Sequence, residues 1–188
     1  MFDIDSYKDR LLEDIGKKRY KHSLRVVDAA LKLSEDLDID VDKVKIAAFL
    51  HDCAKYNEER YIRELDLKID EKIHPTSPVI HAFVGAEVAK KVYNIKDNDI
   101  LDAIRYHTTG RANMSLYEKI VFLADAIEEK RDYPGVEDIR EKAFEDIDEG
   151  LLECLDHNIK FLIDKKSYIE SLTFEARNYL IKEKNGKS

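Results

Sequence analysis

The sequence is poor in the residues that cross-link or break small folds: its 188 positions hold two cysteines, three prolines and six glycines. Cys53 and Cys154 match no zinc or thioredoxin spacing, and so sparse a thiol content fits a reducing compartment. No apolar run approaches the roughly 18 residues that span a bilayer, and the opening "MFDIDSYKDR" lacks the basic-then-apolar order of a secretion signal. These absences predict a cytoplasmic protein without a membrane partner. The sequon-like "NMS" at 113–115 has no meaning in a chain that is not secreted. Positive charge is short as well. With 32 Lys and Arg against 40 Asp and Glu, the net charge of −8 argues against a broad nucleic-acid surface and for a small partner.

What is abundant is charge and helix formers. Charged residues make up 38% of the chain, with Leu, Ile, Ala, Lys, Glu and Asp dominant, and the length suits one domain with a substantial core. Tyr7, Leu11, Leu12 and Ile15 mark a first helix ending at Gly16, and His22, Val26, Ala30, Leu33 and Leu37 form the stripe of a second over 20–37. A third helix spans 42–55 with Asp42 as N-cap, and a short one lies near 58–65. The loop 68–78 contains "HPTSP", whose prolines forbid regular helix. Helices follow from His81 to about Tyr93 and from "DNDI" at 97–100 to His107. Ser115 and Glu118 have capping-box spacing ahead of the stripe Leu116, Ile120, Leu123, Ala124 and Ile127, which brings Asp125 near the inner face. After "RDYPG" at 131–135, three helical patterns cover about 136–146, 148–164 and 167–183, and "KEKNGKS" is expected to fray. No segment alternates with period two. The expectation is one all-α domain over 1–188, a bundle of eight to ten helices, with core motifs at about 17–140 and the C-terminal helices 141–183 packed on them.

Five of the six histidines fall within residues 22–107. A lone helical histidine is ordinarily a hydrogen-bonded core or surface residue, but this set comes with acids. Neutral imidazole is a favoured ligand of zinc, iron and manganese, and carboxylates supply the oxygen ligands of harder divalent ions. His22, the pair His51–Asp52 and Asp125 lie on three helices where each would turn toward a shared interior, as in metal sites of helix bundles. Neighbours on a helix point about 100° apart, so His51 and Asp52 flank one ion only at a helix terminus. A buried Asp52 without a cation would cost roughly several kcal/mol of desolvation. His74 and His157 are read as non-ligands.

The pattern His22, His51–Asp52, Asp125 resembles the signature of the HD-domain metal-dependent phosphohydrolases, an all-α superfamily. "YKHSLRVVDAA", "AAFLHDCAK", "HAFVGAEVAKKVY", "AIRYHTTGRANMSLYEKIVFLADAIE", "RDYPGVEDIR" and "TFEARNYL" together resemble the bacterial YqeK family of symmetrically cleaving diadenosine tetraphosphate hydrolases, over roughly residues 17–181. The resemblance implies that His22, His51, Asp52 and Asp125 hold one metal and that His81 and His107 help hold a second, with Asp52 between them. It associates the site with iron, while the mixed N/O ligand set alone admits manganese or zinc. Two such ions can clamp phosphoryl oxygens and activate a bridging hydroxide, which would attack an inner phosphorus and release two ADP. Asp52, Lys55 and His81 are then the catalytic candidates.

Lys55, one turn from His51, could reach a phosphate or be a solvated helix-end lysine. Thr108, Thr109 and Arg111 of "TTGR" could meet phosphate while also ending a helix. Arg131 and Tyr133 are nucleotide contacts or turn residues, and Thr173 and Arg177 are tied to nucleotide only by the family pattern. Arg19 and Arg25, flanking His22, complete the substrate-binding candidates. Tyr56, Tyr106 and Tyr117 could face base or sugar, though aromatics at helical spacing are more often core. The alternatives are another nucleotide substrate on the same metal site, or a nucleotide sensor without turnover. The acidic C-terminal helices could cover a homodimer interface or pack within the monomer equally well.

Overall fold

The stripe that begins at Tyr7 and resumes at Val26 is carried by one bent element, α1 (Ile4–Leu33). Gly16 interrupts it with φ 73° and ψ 163°, and a Cβ there would meet nothing within 4 Å, so backbone conformation rather than space requires the glycine. The computed structural model describes residues 4–69, 73 and 77–186. Among these the remaining helices are α2 (Val41–Leu50), α3 (Glu58–Glu64), α4 (Ile80–Lys91), α5 (Asn98–Tyr106), α6 (Leu116–Ile127), α7 (Val136–Glu145), α8 (Ile147–Asp164) and α9 (Ser171–Gly186). The described residues contain no strand, and the fold is all-α. His74 lies outside the described residues.

Several boundaries differ from expectation, among them the end of α2, which stops at Leu50 rather than 55 because the chain turns there with i to i−3 bonds. α1 stops at Leu33, and Asp36, with φ 63°, leads a turn where the apolar stripe continues to Leu37. The cap of α2 is Asp40, not Asp42: its carboxylate accepts from the amides of Asp42 at 3.0 Å and Lys43 at 3.4 Å, while Asp42 occupies the first turn. α8 ends through the left-handed Lys166 (φ 53°), whose neighbour Ser167 donates back to the Leu162 carbonyl, so α9 begins at Ser171 and runs to Gly186 rather than fraying. The capping box of α6 forms as expected: Ser115 accepts from the Glu118 amide and Glu118 accepts from the Ser115 amide.

Packing follows the apolar stripes. α1 lies against α2 and α6, α5 against α2, α4 and α6, and α8 is held by α6, α7 and α9. Val26, Ala30, Phe49, Leu50, Ile104, Ile120 and Leu123 are fully buried at the centre. The half of α1 before the bend is fixed by buried Asp14, which accepts from Arg60 and from the Tyr61 hydroxyl, each at 2.7 Å. α4 approaches the turn that follows α2 through Gly85, where a Cβ would meet the His51 carbonyl at 3.6 Å and Cys53 Sγ at 3.8 Å.

Candidate metal centre and its flanking cavities

α2 terminates one residue before the HD pair. From there the chain runs through successive turns, in which the Cys53 amide donates to the Leu50 carbonyl, that of Lys55 to Asp52 and that of Asn57 to Ala54, each at 2.9 Å. These tighter i to i−3 bonds free His51 and Asp52 from the 100° spacing of an α-helix. His22 comes from the inner stripe of α1, His81 from the first turn of α4, His107 from the residue after α5 and Asp125 from the last turn of α6.

The six converge. His22 Nε2 is 3.0 Å from Asp125 Oδ1 and 4.0 Å from Asp52 Oδ2, and His51 Nε2 is 3.3 Å from Asp52 Oδ2 and 3.9 Å from Asp125 Oδ1. On the other side of the same carboxylate, Asp52 Oδ1 lies 3.2 Å from His81 Nε2 and 3.7 Å from His107 Nε2, and the latter two nitrogens are 3.3 Å apart. Two ligand triads share His51: His22, His51 and Asp125, and His51, Asp52 and His107.

The outward ring nitrogens decide what the inward ones can do. Nδ1 of His51 donates to the Ala48 carbonyl at 2.7 Å, that of His107 to Ile104 at 2.7 Å and that of His81 to Pro78 at 2.8 Å. His22 Nδ1 donates to Glu128 Oε1 at 3.0 Å. With the proton on Nδ1, each Nε2 presents a lone pair to the centre. His22 Nε2 and His51 Nε2 are buried and have no hydrogen-bond partner. Buried polar atoms are rarely left so, and lone pairs converging with carboxylates fit a divalent metal.

The electrostatics agree. Burial alone would raise Asp52, but the imidazoles of His51, His107 and His81 around it hold it well below the usual carboxylate range. Burial is likewise outweighed at Asp125, by His22, His51 and Arg131, and at Glu128, where Arg25 and its neighbours hold the group to about 2. Burial takes His107 down to about 4, so it is neutral at neutral pH. At His51 burial opposes protonation, yet Asp52 and Asp125 outweigh it and raise the group, a field that also favours a bound cation.

Cations ring this acidic centre. Arg19 donates to Asp52 Oδ2 at 2.8 Å, Arg131 to the Asp125 carboxylate and to its carbonyl at 2.7 Å, and Arg25 to Glu128 at 2.6 Å. Lys55 Nζ stands 3.0 Å from His81 Nδ1, and burial lowers its pKa. Two cavities open beside the centre. One, of about 300 Å³, is bordered by Lys18, Arg19, His22, Arg25, Tyr56 and Arg131. The other, of about 400 Å³, reaches His107 and Asp125, with Thr108, Arg131 and Tyr133 along its wall.

The remaining candidates have partners elsewhere once placed. Arg111 makes a two-pronged pair with buried Glu118, both bonds at 2.7 Å, and reaches Asp102 at 3.2 Å. Thr109 is buried and donates to the Gly110 carbonyl, Arg177 pairs with Asp156, and Thr173 is buried in the first turn of α9. The Tyr117 hydroxyl is engaged by backbone, accepting from the Asp40 amide at 3.3 Å. Conversely, Glu128, His157, Asn158 and Phe161 stand at the centre or its larger cavity although no motif singles them out. Glu128 is legible in principle, since a helix that turns Asp125 inward carries the residue three positions later beside it. The α8 trio gives no local signal.

Comparison with known proteins places this geometry. The HD domain family matches residues 19–130. A Staphylococcus aureus protein named bis(5'-nucleosyl)-tetraphosphatase, symmetrical, is 38% identical over 182 residues, covering 94% of this chain and 93% of that protein. The Bacillus subtilis protein of the same name is 34% identical over 172 residues, covering 90% and 92%. A crystal structure from Clostridium acetobutylicum, described as a predicted HD superfamily hydrolase involved in NAD metabolism, superposes with a TM-score of 0.90 at 42% identity, over 97% of this chain and 99% of that one.

Proposed function

The chain belongs to the HD domain family, and from that premise we propose that it is a metal-dependent hydrolase that splits diadenosine tetraphosphate symmetrically into two ADP. The observation that carries the metal dependence is the pair of buried, partnerless nitrogens, His22 Nε2 and His51 Nε2, facing Asp52 and Asp125. The substrate follows from the relatives at 34–38% identity over most of their length.

His22, His51, Asp52 and Asp125 are assigned to one ion, and His81 and His107 to a second that shares Asp52. Iron is favoured by family likeness, and manganese or zinc satisfies the same ligands. A divalent metal bound there supplies Lewis acidity toward phosphoryl oxygens and makes water a stronger nucleophile at neutral pH. The chain's own groups do the rest. Arg19 and Arg131, already beside the ligand carboxylates, offer guanidinium N–H groups to the phosphates that enter between them, and the basic rim of Lys18 and Arg25 extends that field. Lys55 would hold a phosphate oxygen, a role supported by its Nζ standing 3.0 Å from His81 Nδ1. In the net reaction one water is consumed, the central P–O–P linkage breaks, and each adenosine leaves with two phosphates. A small nucleotide partner in the cytoplasm, with neither nucleic acid nor membrane, is consistent with the net charge of −8.

The test is to incubate metal-loaded protein with diadenosine tetraphosphate and resolve the nucleotides. ADP alone is expected. ATP plus AMP would overturn symmetrical cleavage, and tight binding without turnover would make the protein a sensor. Running NAD and guanosine tetraphosphate in parallel separates other nucleotide substrates. Lys55→Ala should keep its metal and lose rate, and an unchanged rate would return Lys55 to the role of a surface lysine.

A further inference from the structure

The motif "RDYPGVEDIR" at 131–140 ends on Arg140, a residue to which neither metal nor phosphate gives a task. Its side chain is only 19% exposed and lies against backbone. An α-helix leaves its last four carbonyls without an intrahelical donor, and a left-handed glycine just past the end is a common remedy. α6 has none: it breaks at Glu128 with φ −51° and ψ 153°, and its final carbonyls take side-chain donors instead. The Asp125 carbonyl accepts from Arg131 Nε at 2.7 Å, that of Ala126 from the Tyr133 hydroxyl at 3.0 Å and that of Ile127 from Arg140 Nε at 2.9 Å. Arg140 Nη2 continues the series past the helix, donating to the Glu128 carbonyl at 2.8 Å and to that of Arg131 at 2.9 Å. One side chain thus holds three carbonyls across the turn.

What the turn carries makes this more than a helix ending. Asp125 Oδ1 stands 3.0 Å from Nε2 of His22 and Glu128 Oε1 stands 3.0 Å from its Nδ1, so the end of α6 grips one imidazole from both sides. Ile127 and Glu128, whose carbonyls Arg140 holds, set how far apart the two carboxylates stand. Arg140 is itself fixed. It rises from α7, which buries Val136, Ile139 and Ala143, and its Nη1 pairs with Glu137. A bare positive charge would favour the helix C-terminus through the dipole alone, whereas a rigid fork of five N–H groups meets several carbonyls at once.

We infer that Arg140 is a positioning residue of the metal centre: by clamping the carbonyls of Ile127, Glu128 and Arg131 from α7, it fixes the spacing of Asp125 and Glu128 about His22. It acts only through them. The inference rests on the metal-centre reading for the ion that His22 and Asp125 hold, and on the hydrogen bonds for how α7 reaches those residues.

Calorimetric titration of manganese(II) into chelator-treated protein tests it, alongside the metal-free Tm and, at saturating manganese, kcat and KM for diadenosine tetraphosphate. Arg140→Ala should bind manganese about tenfold more weakly, as when a ligand histidine loses its orienting partner, and should lower the metal-free Tm. Arg140→Lys keeps the positive charge at the end of α6 without the fork, so it should recover most of that Tm and little of the affinity. In both variants kcat should fall while KM stays at the wild-type value. Wild-type manganese affinity in Arg140→Ala would leave Arg140 a helix cap only and overturn the inference. An affinity that Arg140→Lys restores together with Tm would overturn it too, since charge alone would then suffice. The metal reading fails separately: wild-type protein that binds no manganese sinks that reading, and this inference with it.

Discussion

Glu128 touches no proposed substrate, yet it determines which nitrogen of His22 faces the centre. Its carboxylate accepts the hydrogen bond from Nδ1–H at 3.0 Å and is steadied by Arg25 at 2.6 Å and by the Lys130 amide at 2.8 Å. Groups that orient a ligand histidine in this way typically change metal affinity by about 10–100-fold when lost. Glu128→Gln keeps shape and an acceptor but loses the charge, so metal affinity should fall within that range while helicity by circular dichroism is retained. Wild-type affinity in the variant would show that His22 needs no such partner. The two cysteines make a second case in which surroundings decide chemistry. Both are fully buried, and burial pushes the Cys154 thiol up to about 12 and raises Cys53 as well. At pH 8 the native Cys154 thiolate is then on the order of one part in ten thousand. A thiol reagent should therefore find essentially no reactive cysteine in the native protein and two after denaturation; one fast native thiol would contradict the packing.

Between α7 and α8, Gly150 lets the helices meet at a distance no other residue allows. A Cβ at this position would fall 2.4 Å from Ala143 Cα and 2.7 Å from its backbone nitrogen, neither of which can yield as a flexible side chain would. Helix propensity alone predicts that Gly150→Ala stabilises by about 1 kcal/mol. Overpacking predicts a loss of about 1–3 kcal/mol, and with backbone as the obstacle it should win. Denaturant unfolding decides the sign, and a more stable Gly150→Ala would mean that α7 and α8 are free to part. Nothing in the sequence around Gly150 announces this contact, because it depends on how two helices cross. Features set within a few residues are legible: the Gly16 bend, the Ser115–Glu118 box, the start of α5 at "DNDI". The shift from Asp42 to Asp40 shows the limit, since two acids two positions apart are equally able to cap. The site divides in the same way. His22, His51, Asp52 and Asp125 stand out because such residue types are unusual on an inner stripe or at a helix end, whereas His81 and His107 join them only through the family resemblance. His157, Asn158 and Phe161 lie beside the buried stripe of Leu151, Cys154, Leu155 and Ile159, and only the placement of α8 against the 131–135 turn gives that second face a cavity.

The proposed ligands come from α1, the turn after α2, α4, the end of α5 and α6, so an ion held by all of them would be held only by the folded chain. Binding that is confined to the native state adds stability by mass action, about 2.7 kcal/mol at a free concentration of one hundred times Kd. For a chain of 188 residues that corresponds to a rise in Tm of about 5–10 °C relative to chelator-treated protein. The metal-free fold has its own means of holding the two acids, since Arg19 and Arg131 pair with Asp52 and Asp125. Asp52→Asn should lower the metal-free Tm, because it removes a carboxylate that the fold holds ionised and leaves Arg19 without its partner. The variant should lose the metal-induced rise almost entirely. An equal rise in Asp52→Asn would place the stabilising ion elsewhere, on an acidic surface drawn from the chain's 40 Asp and Glu. A rise that persists in Asp52→Asn but disappears in His22→Ala would narrow the fault to one triad: His22, His51 and Asp125 would then bind an ion without Asp52, and Asp52 could not be the residue shared between two.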